Sequence, residues 1–196
     1  VDTGSPGQER VILSKMQFLG RTDLKMIFIT HGHYDHYGSA AALRRLTGAP
    51  VAVHADDAVT TTLGKTRLGS VRGWGRLVQL FLPLVEFVWQ VEPVMANLVL
   101  QEGDDLDEFG ISARVLHTPG HTPGSCTLLV DGCLAFAGDL VSSTGSPHIQ
   151  RYFADDWGQL GQSILRLKQV SPQLVYPGHG RQPLSTEDLN RLDVLT

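Results

Sequence analysis

Two cysteines in 196 residues are too few for a disulfide framework, and their placement argues against even a single bridge. Cys126 and Cys133 flank Asp131-Gly132, a pair that favours a two-residue hairpin turn. In that register Val130 faces Cys133 and Cys126 falls opposite Ala137, about 13 Å away along the sheet at about 3.3 Å per residue. A reducing, cytoplasmic setting is the default expectation. Positive charge is also scarce: 16 Lys and Arg against 20 Asp and Glu give a net charge of −4, so no basic footprint for a nucleic acid exists and no such partner is expected. Long hydrophobic runs are missing as well. The longest, Leu77 to Trp89, is well under the roughly 20 residues that span a bilayer and contains Pro83 and Glu86, so no membrane span is expected. No charged-then-apolar leader opens the chain and no repeat, low-complexity tract or linker interrupts it, so neither a targeting segment nor a second domain is expected.

What is present fits an ordinary globular domain, with 42% hydrophobic and 18% charged residues. The expected organisation is one domain, 1–196, carrying an apolar insertion at about 63–96. Gly69, Gly73 and Gly75 punctuate the start of that insertion, Pro83 its middle and Pro93 its end. It reads either as a helix pair packed on the core or as a hinged lid or apolar wall over a substrate pocket. Elsewhere strands and helices alternate. Lys25 to Thr30, Pro50 to Val53, Ile111 to Leu116, Leu134 to Ala137 and Leu174 to Tyr176 read as strands. Ser39 to Leu46, ended by Gly48, Asp56 to Leu63 and Trp157 to Val170 read as helices, and the alternation predicts a layered α/β domain.

The run His31-Gly32-His33-Tyr34-Asp35-His36 places four potential metal ligands in six residues. Imidazole nitrogen and carboxylate oxygen are both good donors to Zn²⁺, which imposes no geometry of its own. His31, His33 and Asp35 alternate, whereas adjacent Asp35 and His36 need a turn to converge, so the spacing predicts a ligand loop at a strand end. His121, Asp139 and His179 each fall in a glycine-bearing segment directly after an apolar strand, which lets four strand ends present ligands to one point. Each is a weak signal alone; in this order, behind the histidine run, they are strong. Asp155 and Asp156 suit the start of the helix at Trp157, and His54 reads as a packed residue at a helix start.

These elements resemble the metallo-β-lactamase superfamily, specifically its binuclear hydrolase branch related to glyoxalase II. The resemblance is carried by Val1-Asp2-Thr3-Gly4, HGHYDHYG at 31–38, HTPGHTPGS at 117–125, Gly138-Asp139 and PGHG at 177–180. It implies an αββα four-layer sandwich, two mixed β-sheets flanked by helices, with metals at one edge. It further implies two Zn²⁺ per chain, with Fe or Mn as alternatives. His31, His33 and His121 would hold one metal, Asp35, His36 and His179 the other, and Asp139 would bridge them. Asp35 and Asp139 are then the catalytic carboxylates. His117 becomes a supporting group and Asp2 a structural carboxylate beside the ligands. The family reaches its Asp-Thr-Gly element after earlier strands, and none precedes Val1 here, so the expectation is a sheet lacking those N-terminal strands and poorly covered.

The implied chemistry is hydrolysis by a metal-bridging hydroxide, since metal coordination lowers the pKa of water from 15.7 to about 7. Two Zn²⁺, two carboxylates and a hydroxide leave a charge of about +1, suited to an anionic transition state. Relatives that open β-lactams generally lack an aspartate matching Asp139. Lactone-cleaving relatives often carry a tyrosine where this chain has Ser142, and the residues after Gly180 are too few for a glutathione-gripping extension. The apolar insertion favours a small-molecule ester, thioester or lactone with an apolar acyl part, and Tyr34, His148 and Tyr152 are candidates to meet it. A mononuclear iron sulfur dioxygenase, a phosphodiesterase and a non-catalytic metal-binding interaction module stay open, as does a homodimer.

Overall fold

The structure is a computed structural model and describes residues 1–194. The first part of the chain carries helix α1 (Glu9–Phe18), strand β1 (Ile27–Phe28), helices α2 (Tyr34–Tyr37) and α3 (Ala40–Thr47), strand β2 (Val51–His54) and helix α4 (Ala55–Leu63). Strand β3 (Ser70–Val71), helix α5 (Gly75–Trp89) and strand β4 (Leu98–Leu100) follow. The second part runs β5 (Ala113–His117), β6 (Cys126–Val130), β7 (Leu134–Ser142), β8 (His148–Ile149), β9 (Phe153–Ala154), α6 (Trp157–Val170), β10 (Leu174–His179), β11 (Leu184–Ser185) and α7 (Thr186–Arg191).

Two sheets face each other. The smaller has the order β1-β2-β4 with all strands parallel; the larger has the order β11-β10-β7-β6-β5, with β8 beside β7. In the larger sheet β10 and β7 run parallel and the other pairs antiparallel. Three apolar layers follow from this stacking. Phe28, Ala52, Val115, Cys126 and Leu128 fill the space between the sheets. Ile27, Ile29, Val51 and Val53 turn the other way and bury Tyr37, Ala40 and Leu43, with Ile12 and Leu13 of α1 packed against them. On the far side Ala135, Ala137 and Val175 bury Leu160, Ile164 and Leu167 of α6 and Leu189 of α7. Helix, sheet, sheet, helix is the αββα sandwich.

Local chemistry explains the helix ends that frame it. The buried α6 residues Leu160, Ile164 and Leu167 recur at helical spacing, and the Asp156 carboxylate accepts from Gly158 N and Gln159 N at the start. Helix α3 stops where Gly48 takes φ 75° and its N–H returns to Arg44 O.

Several expectations need correction. Asp131 and Gly132 do take left-handed φ values of 49° and 67°, and Cys133 N donates to Val130 O. Cys133 nevertheless drops out of the ladder, so Val130 pairs with Leu134 and the register sits one residue from the two-residue hairpin. Both cysteines are free. Strand β7 runs on to Ser142, which puts Asp139 inside a strand, and His179 is the last residue of β10. Where a core-packed pair was one of the two readings, residues 63–96 hold strand β3, paired with β9, and a single helix, α5. Pro83 does not break it: its ring faces outward, where the unbonded carbonyl a turn earlier can meet water. Only Gly75 and Leu82 of α5 are buried.

The edge of the small sheet is occupied by the first residues of the chain, with Asp2 N donating to Phe28 O. On the large sheet the stacked pair Phe136 of β7 and Tyr176 of β10, ring centroids 4.9 Å apart, is only half-buried. Among the described residues no helix is long and apolar enough to cross a membrane.

Candidate metal centre

Strand β1 and the Ile29 that follows it are apolar and buried, so Thr30 delivers the next residues to the sheet edge. His33 keeps an extended backbone, φ −90° and ψ 143°, and starts α2. That single helical turn is what brings Asp35 and His36 round to the same side as His31 and His33. The HTPG loop between β5 and β6 carries His121 inward, β7 carries Asp139, and β10 ends on His179. All seven predicted ligands meet at this edge.

They form two groups. His31 Nε2, His33 Nδ1 and His121 Nε2 lie 3.0 to 3.2 Å from one another, and all three residues are buried. Asp35, His36 and His179 form the second group, with ligand atoms within 4.8 Å of one another. Asp139 touches both: Oδ1 lies 3.3 Å from His36 Nε2, while Oδ2 lies 3.6 Å from His121 Nε2 and 3.3 Å from His179 Nε2. The Asp35 carboxylate sits 3.3 Å from His179 Nε2, and these two side chains are the most exposed of the set. The first group is therefore the more deeply buried, and the second faces solvent.

The far side of each ring fixes which nitrogen carries the proton. His33 Nε2 donates to Arg67 O and His121 Nδ1 to Phe153 O, both at 2.8 Å. Thr30 Oγ1 donates to Asp2 Oδ2, which leaves it to accept from His31 Nδ1 at 3.0 Å. With those protons assigned, the three nitrogens that face each other carry only lone pairs. Three lone pairs at about 3 Å repel unless a cation lies among them. Asp2 also accepts from His36 Nδ1 at 2.8 Å, so one carboxylate orients a ring in each group. His36 Nε2 and Asp139 Oδ1 are buried without a hydrogen-bond partner. Nitrogen and oxygen donors left unsatisfied in this way fit a metal pair of the zinc class.

The titration behaviour of the metal-free protein divides along the same line. Burial, then the neighbouring histidines, hold His31 well below the ordinary histidine range and His121 at about 3. These rings are neutral, as ligands must be. His36 goes the other way: burial opposes its charge, but Asp139 and Asp2 outweigh burial and raise it well above. Hydrogen bonds to Asp139 and Asp35 raise His179 to about 10. Asp35 is held at about 2 and Asp139 well below the carboxylate range, burial being outweighed by the histidine partners.

A cavity of about 330 Å³ opens on the second group. Its wall includes His33, Asp35, Asp139 and His179, together with the apolar Val78 and Leu82 of α5 and Val141 of β7. Tyr34, His148 and Tyr152 all line it. Burial, then Asp35, push the Tyr34 phenol up, so it stays protonated and able to donate.

Asp57 was not expected from the sequence. It is 2% exposed and accepts from Gly32 N (2.6 Å), Thr122 Oγ1 (2.6 Å) and Gly124 N (2.9 Å). One carboxylate thus ties the His31 loop to the His121 loop. No sequence signal distinguishes it from its neighbour Asp56, since both sit in the first turn of α4. His54 caps α4, as its position suggested, and accepts from Asp56 N. His117 lies away from the centre, stacked on His54 at 4.0 Å with its Nε2 donating to Pro123 O. His54, Asp56 and His117 approach within 4.8 Å, but the two rings are only 13° from parallel, so a metal in the plane of one lies outside the plane of the other.

Comparison with known proteins gives a consistent picture. Residues 1–179 match the family model described as the metallo-beta-lactamase superfamily. The probable metallo-hydrolase YflN of Bacillus subtilis is 29% identical over 198 residues, covering 92% of this chain and 74% of that protein. A hydroxyacylglutathione hydrolase of Pseudomonas putida is 28% identical over 184 residues, covering 91% of this chain and 55% of the hydrolase. Among solved structures, the metallo-beta-lactamase family protein TTHA1429 from Thermus thermophilus superposes with a TM-score of 0.71 at 25% identity, over 96% of this chain and 67% of its own.

Proposed function

The chain belongs to the metallo-beta-lactamase superfamily, and on that premise we propose that it is a zinc-dependent hydrolase of a small ester, thioester or lactone with an apolar acyl part. The observation that carries this reading is the set of three facing imidazole lone pairs, with Asp139 reaching from that set to a second, solvent-facing group. His31, His33 and His121 would hold one metal and Asp35, His36 and His179 the other, with Asp139 contributing to both. When bound, such a pair supplies a Lewis acid for the carbonyl and a hydroxide at neutral pH. No serine or cysteine nucleophile is needed.

The remaining work falls to the protein. Asp2 and the carbonyls of Arg67 and Phe153 keep the rings in one tautomer, so the donor set is preorganised. Val78, Leu82 and Val141 offer an apolar wall to the acyl part beside the reacting carbonyl. The Tyr34 hydroxyl can donate a hydrogen bond to an oxygen of the substrate, and His148 and Tyr152 border the same space. The likeness to the hydroxyacylglutathione hydrolase supports an acyl-transfer substrate, while the 45% of that hydrolase left unmatched gives no support for glutathione itself. Two free cysteines suit a reducing compartment such as the cytoplasm.

The test is metal analysis followed by a substrate screen. Purified protein should hold two zinc per chain and turn over thioesters or lactones in preference to β-lactams and phosphodiesters, with His33→Ala losing both metal and activity. One iron per chain with oxygen uptake on a persulfide would replace this reading by a dioxygenase. A metal-loaded protein without turnover on any of these substrates would leave a binding module.

A further inference from the structure

Helix α5 turns its apolar side away from the molecule. Its contacts with the body run through Gly75 and Leu82, which are buried, and through Glu86, whose carboxylate accepts from Thr66 N. On the opposite side Trp74, which immediately precedes the helix, and Leu77, Phe81, Leu84 and Val88 follow one another at intervals of three, four, three and four residues. That is the seam of a helix built to pack on another helix. All five are between 47% and 73% exposed, and Leu80 and Phe87 beside them are 70% and 78% exposed.

We propose that this seam is the contact between two copies of this chain, with α5 packing antiparallel on its own image across a twofold axis near Phe81. Phe81 stands at the centre of the seam, with Leu77 and Leu84 on either side and Trp74 and Val88 outside them, so the row meets its reverse without a gap. An isologous contact requires such self-complementarity. Area points the same way. With aromatic side chains of about 150–250 Å² each, the seam and its flank expose on the order of 900 Å² of apolar surface, far above a stray surface patch. A stable interface takes about 800 Å² from each partner, so a copy of the same helix is a sufficient cover.

A lipid surface is the competing cover, and interfacial helices carry a Lys- and Arg-rich polar face for the headgroups. The polar stripe of α5 is Arg76, Gln79 and Glu86, continued by the capping residue Gln90, one base against one acid. Pairing has a consequence for the site, because Val78 and Leu82 on the inner part of the helix line the cavity at the metal centre. The dimer holds that wall in place.

Sedimentation equilibrium on the full chain tests the proposal, with Phe81→Glu and Leu84→Glu as variants. Both positions are exposed, so circular dichroism and the melting temperature should stay at the wild-type values. The expected result is a wild-type mass of twice 21.4 kDa and half that mass in each variant. A Cys133→Ser, Phe81→Cys chain should form a covalent dimer on mild oxidation, while Cys133→Ser, Gln79→Cys should not. A monomeric wild type, a dimer that survives both glutamates, or a monomer that sediments with phosphatidylcholine–phosphatidylglycerol vesicles would each overturn it.

Discussion

Asp57 joins residues that the sequence separates by 25 and 67 positions, Gly32 on one loop and Gly124 on the other. Its removal leaves two buried N–H donors and the Thr122 hydroxyl without their acceptor, and both histidine loops lose a common anchor. Groups that orient metal ligands are worth about 10–100-fold in metal affinity. Asp57→Ala should therefore weaken zinc binding by that order, read by competition with a chromogenic chelator; affinity equal to wild type would show that the two loops hold their shape without it. The cysteines make a second contrast at this scale. Burial, then Asp2 and Asp57, push the Cys126 thiol well above its ordinary range, whereas Cys133 is partly exposed at the hairpin. A thiol reagent should modify one cysteine per native chain and two after denaturation. The candidate ligands were legible because four of them crowd into the six residues His31 to His36 and because His121, Asp139 and His179 each stand next to a glycine. Asp57 was not, because its role exists only once loops distant in sequence are folded together.

Parallel strands β7 and β10 carry Asp139 and His179, with His179 paired to Ser142, and the ladder between them is irregular around Pro177 and His179. Gly178 sits in that irregularity. A Cβ there would lie 2.4 Å from Asp139 Oδ1 and 2.6 Å from His36 Cε1, so no side chain fits without moving a ligand. Gly178→Ala should keep the secondary structure, retain metal at the three-histidine group and lose it at the other, giving about one zinc per chain by mass spectrometry. Two zinc per chain would mean that β10 can shift to make room. In α6 the reasoning is plain packing: Leu167 is fully buried against β7 and β10, and Leu167→Ala should cost about 2–5 kcal/mol in urea unfolding with the metal centre intact. Elements such as α6 were readable because periodicity, cap and turn residues agree. For α5 the sequence left a helix pair and a lid or apolar wall both open, because a proline inside a helix is costly only where its freed carbonyl and ring meet packed atoms, and exposure of Pro83 is a property of the fold.

Both sheets of the sandwich and the loops at their shared edge contribute to the site. The small sheet supplies the His31 to His36 turn, the large sheet supplies Asp139 and His179, the loop between β5 and β6 supplies His121, and the segment at Asp2 orients His31 through Thr30 and His36 directly. Strand and helix alternation made a layered α/β domain legible, the αββα class came only from the family resemblance of the motifs, and the one-residue hairpin register and the extension of β7 depend on pairing partners that no local pattern names. Because the donors come from the whole fold, a bound metal and the folded state must reinforce each other. The unfolded chain has no such constellation, so metal binds the native state selectively and its binding energy adds to stability. The three facing lone pairs add a second reason, since their repulsion is present only when the chain is folded without a cation. At free zinc about 1,000-fold over the dissociation constant the gain is about 4 kcal/mol. For a domain of roughly 150–250 residues each kcal/mol moves the melting temperature by about 2–4 °C, so calorimetry should show a rise of roughly 10 °C from chelated to zinc-loaded protein. His31→Ala with His33→Ala removes two of the three lone pairs, and in that variant the chelated protein should melt no lower than the zinc-treated one. A wild type whose melting temperature ignores zinc would mean that the clustered side chains at this edge hold no metal, and the hydrolase reading would go with it.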